Sequence, residues 1–221
     1  MRSTLIGIAG GTGSGKSSLV SLIPRLYDVS EGEVLIGCQN VKALSLHELR
    51  DKIGIVLQES ILFSGTIGTN FKFGYHEATQ EELDDVAKDA QASEFIQSKE
   101  DGYETVVEQR GKNLSGGQKQ RVSIARTLIR NPKILILDDS SSALDMATES
   151  KLQLAIKERM KDSTVIMIAQ RISAVMDADQ IIVLDQGEIT GIGTHEELLK
   201  TNEIYRSIAI SQLGEEAVNH E

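Results

Sequence analysis

Between residues 10 and 17 the chain reads Gly-Gly-Thr-Gly-Ser-Gly-Lys-Ser, with the apolar run Leu5 to Ala9 just before it and the periodic apolar residues Leu19, Leu22 and Ile23 just after. That order is strand, glycine-rich loop, helix. The run fits G-x-x-x-x-G-K-[ST], a pattern that carries meaning only when a strand delivers the loop and a helix receives it. Glycines let successive backbone N–H groups turn inward around phosphate oxygens, and a helix beginning near Lys16 adds the positive end of its dipole. Lys16 is expected to reach the β- and γ-phosphates of a nucleotide and Ser17 to ligate Mg²⁺. The expected nucleotide contacts in this loop are Gly11, Thr12, Gly13, Ser14, Gly15, Lys16, Ser17 and Ser18. The dinucleotide fingerprint G-x-G-x-x-G fails, because Gly13-Ser14-Gly15 is followed by Lys16, Ser17 and Ser18, so a Rossmann dehydrogenase is disfavoured.

The remaining chain alternates in the same way. Short β-type runs fall at Glu33 to Ile36 and Ile53 to Leu57, with a small helix at Leu46 to Arg50 between them. From Thr79 to Gln97 acidic and apolar residues recur at helical spacing without a strand signal. Strands are then expected at Ile134 to Leu137, Thr164 to Ile168 and Gln180 to Leu184, and helices at Ala147 to Met160 and Glu196 to Leu199. Strands separated by helices imply a parallel sheet with helical crossovers, hence an α/β fold with a helical subdomain inserted in it. At 221 residues the chain suits one such domain. The expected division is a core over 1–70 and 130–213, a helical subdomain over 71–129, and an acidic, fraying tail over 214–221.

Composition closes off other classes. No apolar stretch approaches the roughly 18 residues a membrane-spanning helix needs, and the N-terminus lacks the pattern of a secretion signal. A net charge of -10 with no basic patch disfavours a nucleic-acid partner. The single cysteine, Cys38, has no internal disulfide partner and is expected to serve packing, which fits a reducing cytoplasm. His47, His76, His195 and His220 are scattered with no carboxylate or cysteine at ligand spacing, so surface or helix-cap places are expected rather than metal binding. The acidic run Glu81, Glu82, Asp84, Asp85 reads as a solvated helix face.

Ile134-Leu135-Ile136-Leu137-Asp138 is a buried-strand pattern that delivers one carboxylate to the strand's C-terminal rim, where Asp138 can join the Mg²⁺ shell. Leu114-Ser115-Gly116-Gly117-Gln118, continued by Lys119-Gln120-Arg121 and Ser123-Ile124-Ala125-Arg126, resembles the signature motif of ABC transporter ATPases. The resemblance runs along nearly the whole chain. Gln58 stands at the position of the Q-loop glutamine, Ser142-Ala143-Leu144-Asp145 is similar to the D-loop, and Leu62 to Ile67 with Asn70 and Gly102 to Thr105 look like the exporter subclass.

The resemblance implies a P-loop NTPase with a RecA-like parallel-sheet core, ATP and Mg²⁺ as ligands, and two domains docked head to tail. Ser115, Gly117 and Gln118 would then meet the nucleotide held by a partner's P-loop. Ser17, Gln58 and Asp138 are the implied metal set, and Gln58, Asp139 and Gln170 the implied catalytic set. Implied partners are a second nucleotide-binding domain and transmembrane domains, whose coupling helices enter a groove after Gln58. The implied location is the cytoplasmic face of the cell membrane.

The sequence also departs from the family pattern. The residue after Asp138 is normally glutamate and here is Asp139, whose carboxylate is retracted by one methylene. The switch histidine is replaced by Gln170, which cannot take a proton. Glu108-Gln109 stands where exporters carry Gly-Glu, and the adenine-stacking aromatic that the family places upstream of the P-loop is missing, so a fragment is expected. Together, Asp139 and Gln170 resemble the degenerate half of a heterodimeric exporter, with a slow symmetric homodimer as the plainer reading. Other classes are a soluble ABC ATPase of DNA repair or translation, and a regulatory ATP-binding module.

Overall fold

The computed structural model describes residues 4–214, so His220 and positions 215–221 of the expected tail lie outside the described residues. These divide into two compact units. A sheet unit holds residues 4–53, 133–138 and the chain from 164 onward; a helical unit holds 54–132 and 139–163.

In the sheet unit, strands Thr4–Ala9, Ile134–Asp138, Thr164–Ile168 and Gln180–Asp185 run parallel, and Glu188–Gly193 adds an antiparallel edge. Their order is Glu188–Gly193, Gln180–Asp185, Thr4–Ala9, Thr164–Ile168, Ile134–Asp138. The nearly unbroken apolar runs ILILD and TVIMI are what a strand covered on both faces requires. Register places Ile8 beside Ile168, and Ile168 beside Asp138. The loop after Ala9, the carboxylate of Asp138 and the segment after Ile168 therefore leave one rim together.

Helices His195–Thr201 and Glu203–Leu213 cover part of this unit. Leu198, Leu199, Tyr205 and Ala209 are buried in a cluster with Ala9, Ile172, Ile181 and Val183. Each large apolar side chain buried there contributes about 1.5–3 kcal/mol. His195 is 7% exposed, and its Nδ1 lies 2.7 Å from the Tyr205 hydroxyl, so it combines the expected place at a helix start with deep burial. Cys38 departs from expectation. It is exposed, at φ 68° in the Gly37-Cys38 turn that joins strands Leu35–Ile36 and Gln39–Asn40, so the thiol contributes no packing. Two consecutive left-handed residues make the mirror-image turn that matches the twist of a hairpin.

The helical unit is built on helices Ile67–Lys72, Gln80–Asp89, Ser93–Gln97, Gly116–Leu128 and Met146–Arg159. Phe71, Val86, Ala87, Val122, Leu128, Leu152 and Ile156 are buried among them. Arg159 joins Asp89 in an ion pair of 2.7 Å between two of these helices. The expected helical stretch from Thr79 to Gln97 is two helices. Gln91 adopts φ 56°, with Ala92 N–H donating to Ala87 C=O and Gln91 N–H to Lys88 C=O. That is a Schellman stop, with glutamine where glycine is usual. On the first of these helices Glu81, Glu82, Asp84 and Asp85 are exposed while Leu83 and Val86 are buried, the solvated face expected.

Two substitutions test these backbone assignments. Gly10 ends the first strand at φ 146°, and a Cβ there would stand 2.1 Å from the Leu184 carbonyl oxygen. Gly10→Ala is expected to cost roughly 2–4 kcal/mol and lower Tm by roughly 5–15 °C in calorimetry. Gln91→Gly removes the left-handed strain and is expected to raise stability by about 0.5–1 kcal/mol in a denaturant titration.

Candidate functional site

The Gly10–Ser17 loop curls over the end of strand Thr4–Ala9, with left-handed φ at Gly13 (79°) and Gly15 (97°). Ser14 N–H donates to Gly11 C=O within the loop. Cβ atoms added at Gly11 or Gly13 would meet nothing within 4 Å, so one side of the loop is open. Its other side is anchored: Gly187 N–H donates to Ser14 C=O at 3.1 Å from the turn between strands Gln180–Asp185 and Glu188–Gly193.

Lys16 is 8% exposed, and its ammonium donates to Gly10 O at 2.8 Å, Gly11 O at 2.7 Å and Ser14 Oγ at 3.3 Å. A buried ammonium needs oxygen partners for its three N–H donors, and the loop supplies them. Ser17, at the exposed start of helix Lys16–Ser21, donates through Oγ to Asp138 Oδ1 at 3.1 Å, while Asp138 is 7% exposed. Thr12 and Ser18 are exposed, and Gly15 is the residue preceding this helix. Gln170 is exposed two residues beyond strand Thr164–Ile168.

The chemistry of this donor set suits Mg²⁺. A hydroxyl and a carboxylate oxygen already lie within 3.1 Å of one another, and both are hard donors. Among the described residues no group of three or more His, Cys, Asp or Glu could hold a metal ion. Sparse protein ligation is the habit of Mg²⁺ that completes its shell from phosphate and water.

Within the helical unit, Gln58 is exposed and donates through Nε2 to Asp139 Oδ2 at 3.2 Å. Asp139 is 9% exposed and left-handed at φ 46°. Aspartate tolerates that conformation better than most residues, at a cost on the order of 1 kcal/mol. The pair turns one carboxylate oxygen toward an amide donor.

Ser115 caps the 13-residue helix Gly116–Leu128 in a reciprocal box. Gln118 N–H donates to Ser115 Oγ at 3.3 Å, and Ser115 N–H donates to Gln118 Oε1 at 3.0 Å. Gly117 is constrained by a neighbour, since a Cβ there would stand 3.0 Å from the Ala143 carbonyl oxygen. Gln120, 5% exposed, donates to Ser142 Oγ at 3.3 Å and accepts from Ala143 N–H at 3.1 Å, fastening the 142–145 segment to this helix. Asp145 then caps helix Met146–Arg159, accepting from Thr148 N–H and Oγ1–H; the Thr148 hydroxyl bond is the largest of the effects holding its carboxyl below the usual aspartate range. Further along, Arg126 donates to Ile61 C=O at 3.0 Å, three residues past Gln58, with its guanidinium 5.1 Å over the Phe63 ring.

The structure places the loop residues and Asp138 in the sheet unit, and Gln58, Asp139, Ser115, Gly117 and Gln118 in the helical unit. The sequence reading instead sets Gln58 and Asp139 in the core. It leaves Gln120 and Arg126 without a role. The available signal was a polar residue on the buried face of a helix whose neighbours Val122, Ile124 and Ala125 are apolar.

Comparison with known proteins agrees with these features. A family model described as ABC transporter matches residues 1–142. The chain is 51% identical over 211 residues, 96% of its length, to the uncharacterized ABC transporter ATP-binding protein YfiB of Bacillus subtilis, and covers 36% of that protein. It is 46% identical over 207 residues to the putative multidrug export ATP-binding/permease protein YgaD of the same organism, covering 94% of this chain and 36% of YgaD. Among solved structures, a bacterial Atm1-family ABC exporter with ATP bound superimposes with a TM-score of 0.92 at 41% identity, covering 95% of this chain and 37% of that one. The chain thus spans little more than a third of each of these three proteins. With a phosphate-cradle loop, a paired Ser17 and Asp138, a capped Ser-Gly-Gly helix and a matching family model in hand, the chain belongs to the ABC transporter family, as an ATP-binding domain with exporter-type relatives.

Proposed function

We propose that this chain is the ATP-hydrolysing motor of an exporter, that it works at the cytoplasmic face of the cell membrane beside transmembrane domains, and that the site on its own P-loop turns over slowly. The observation that carries the reading is the Lys16 cradle with Ser17 and Asp138 paired at 3.1 Å. Among the described residues no helix is long and apolar enough to cross a membrane. A permease part is named for YgaD, which is far longer than this chain, and supports transmembrane domains as the partner that ATP use would drive. The export names among the relatives favour transport over DNA repair or translation.

In this mechanism Lys16 exchanges its bonds to Gly10 and Gly11 for phosphate oxygens, and the loop N–H groups of Gly11 to Ser18 hold the remaining phosphate charge. Ser17 and Asp138 would hold Mg²⁺, with Gln58 as the further oxygen donor that the family resemblance implies, and the bound ion would supply neutralisation of the charge on the phosphate oxygens. Asp139 occupies the place of the water-polarising carboxylate but is too short to act on the attacking water efficiently, and Gln170 hydrogen-bonds the γ-phosphate without accepting a proton. Residues 71–129 form the subdomain that carries Ser115, Gly117 and Gln118 to the nucleotide of a second ABC nucleotide-binding domain.

The asymmetry of the proposal rests on Asp139 and Gln170. A carboxylate drawn back by roughly 1 Å can cost about 10²-fold in rate, whereas the Ser115 to Gln118 segment keeps the family pattern. A heterodimer in which this chain completes its partner's competent site follows. A purely regulatory ATP-binding module is the second reading, favoured by the same two residues.

Lys16→Ala is expected to weaken ATP binding by roughly 10²-fold in calorimetry, since it removes charge-assisted bonds worth about 1.5–3 kcal/mol. Unchanged affinity would end the P-loop assignment. In the assembled transporter, Ser115→Ala is expected to depress hydrolysis by roughly 10²–10³-fold, as loss of a charge-stabilising donor does. The same change removes a helix cap, at about 1 kcal/mol of stability that a thermal melt reads separately. Asp139→Asn should depress hydrolysis far less, and Asp139→Glu with Gln170→His should raise turnover. Equal damage from Asp139→Asn and Ser115→Ala would make Asp139 a working base and the dimer symmetric.

A further inference from the structure

The segment after strand Thr164–Ile168 is held from outside itself. Residues Ile172–Ala174 form a short 3₁₀ turn, preceded by Arg171, whose side chain provides no cap. Val175 and Met176 N–H groups both return to Ile172 C=O, at 2.9 Å each. The first turn of any helix leaves N–H groups without internal acceptors, and Ile172 N–H is such a group. Its acceptor is Gln212 Oε1 at 2.7 Å. The other end of the same amide, Gln212 Nε2, donates to Gln170 C=O at 2.7 Å.

Gln212 is the penultimate residue of helix Glu203–Leu213, forty positions along the chain from Ile172. The helix bearing it is fixed by packing: Tyr205 and Ala209 are fully buried in the cluster that contains Ile172. The amide therefore bridges the backbone on both sides of Arg171, while the Gln170 side chain stays exposed. Two short bonds to consecutive backbone groups fix the peptide planes around Arg171, and with them the direction in which Gln170 leaves the chain.

We propose that Gln212 is a positioning residue for Gln170, and that the C-terminal helix is thereby part of the catalytic switch. The proposal rests on the reading that Gln170 faces the γ-phosphate of the nucleotide on this chain's loop. Register supports that placement, since Ile168 lies between Ile8 and Asp138, whose strands lead to the loop and to the paired carboxylate. Residue 212 touches neither nucleotide nor metal in this scheme. It acts through the backbone of residue 170.

The test uses the assembled transporter with Gln212→Ala and Gln212→Glu, and reads three quantities: amide exchange at Ile172, ATP affinity, and kcat, the last also in the Asp139→Glu, Gln170→His background where this site is made to turn over. Gln212→Ala should speed Ile172 exchange by about 3- to 10-fold, the worth of one exposed hydrogen bond, leave KM for ATP unchanged, and lower kcat several-fold in that background. Gln212→Glu keeps the acceptor for Ile172 but opposes the Gln170 carbonyl, so exchange should stay slow while kcat falls. Unchanged Ile172 exchange in Gln212→Ala would overturn the clamp, and faster exchange with unchanged kcat would overturn its role in positioning. If wild-type chain bound no ATP, the nucleotide reading would fail and the positioning role with it, while the exchange result would still stand or fall on its own.

Discussion

The site hangs on one row of residues in the parallel sheet, where Ile8, Ile168 and Asp138 lie side by side. Alternation along a strand has a period of two, so a slip of one residue between any pair would turn Asp138 to the opposite face. It would also separate Asp138 from Ser17, whose helix begins only after the loop that Ala9 launches. Parallel pairing is held by the burial of both strand faces, since nothing in a slanted hydrogen-bond ladder alone chooses the register. The apolar residues of ILILD and TVIMI thus perform the placement, and the polar atoms occupy the positions left to them.

Much of this was legible in the sequence, for reasons that differ by element. The loop was readable because glycine, lysine and serine at that spacing satisfy a steric and electrostatic demand that few other runs meet. Helix starts carry a local signal as well, a hydroxyl residue preceding a carboxylate or amide by three, and Ser45, Thr79, Ser115 and Thr194 all close reciprocal caps of that kind, although the expected helices rest on apolar spacing alone. The parallel core followed from apolar runs alternating with helical ones.

What escaped detection lies where distant contacts overrule local pattern. The break at Gln91 carries no glycine, and its left-handed turn is tolerated because Ala90 and Ala92 beside it are fully buried. His195 reads as a surface or helix-cap residue, and its deep burial emerges only where Tyr205, ten positions on, meets it. The reach of Gln212 to residues 170 and 172 has no local sequence signal, because both ends of the amide bond to backbone, which any residue offers. The P-loop half of the site was therefore nearly complete on paper, and the framework that aims its neighbours was not.

The capped serine at the start of the Gly116–Leu128 helix narrows what can replace it. A hydroxyl oxygen has two lone pairs and one hydrogen; at Ser115 one lone pair serves Gln118 N–H, and the hydrogen can still be given elsewhere. Aspartate and asparagine cap a helix about as well as serine does. Aspartate, however, would offer a negative, acceptor-only group where the proposed function brings phosphate close. Selection for helix stability alone would accept aspartate as readily as serine, and selection for an anion neighbour alone would favour lysine or arginine. Serine, with threonine as its nearest substitute, satisfies both at one atom, so on the proposed function folding and contact with a partner's nucleotide could not be tuned independently at this position.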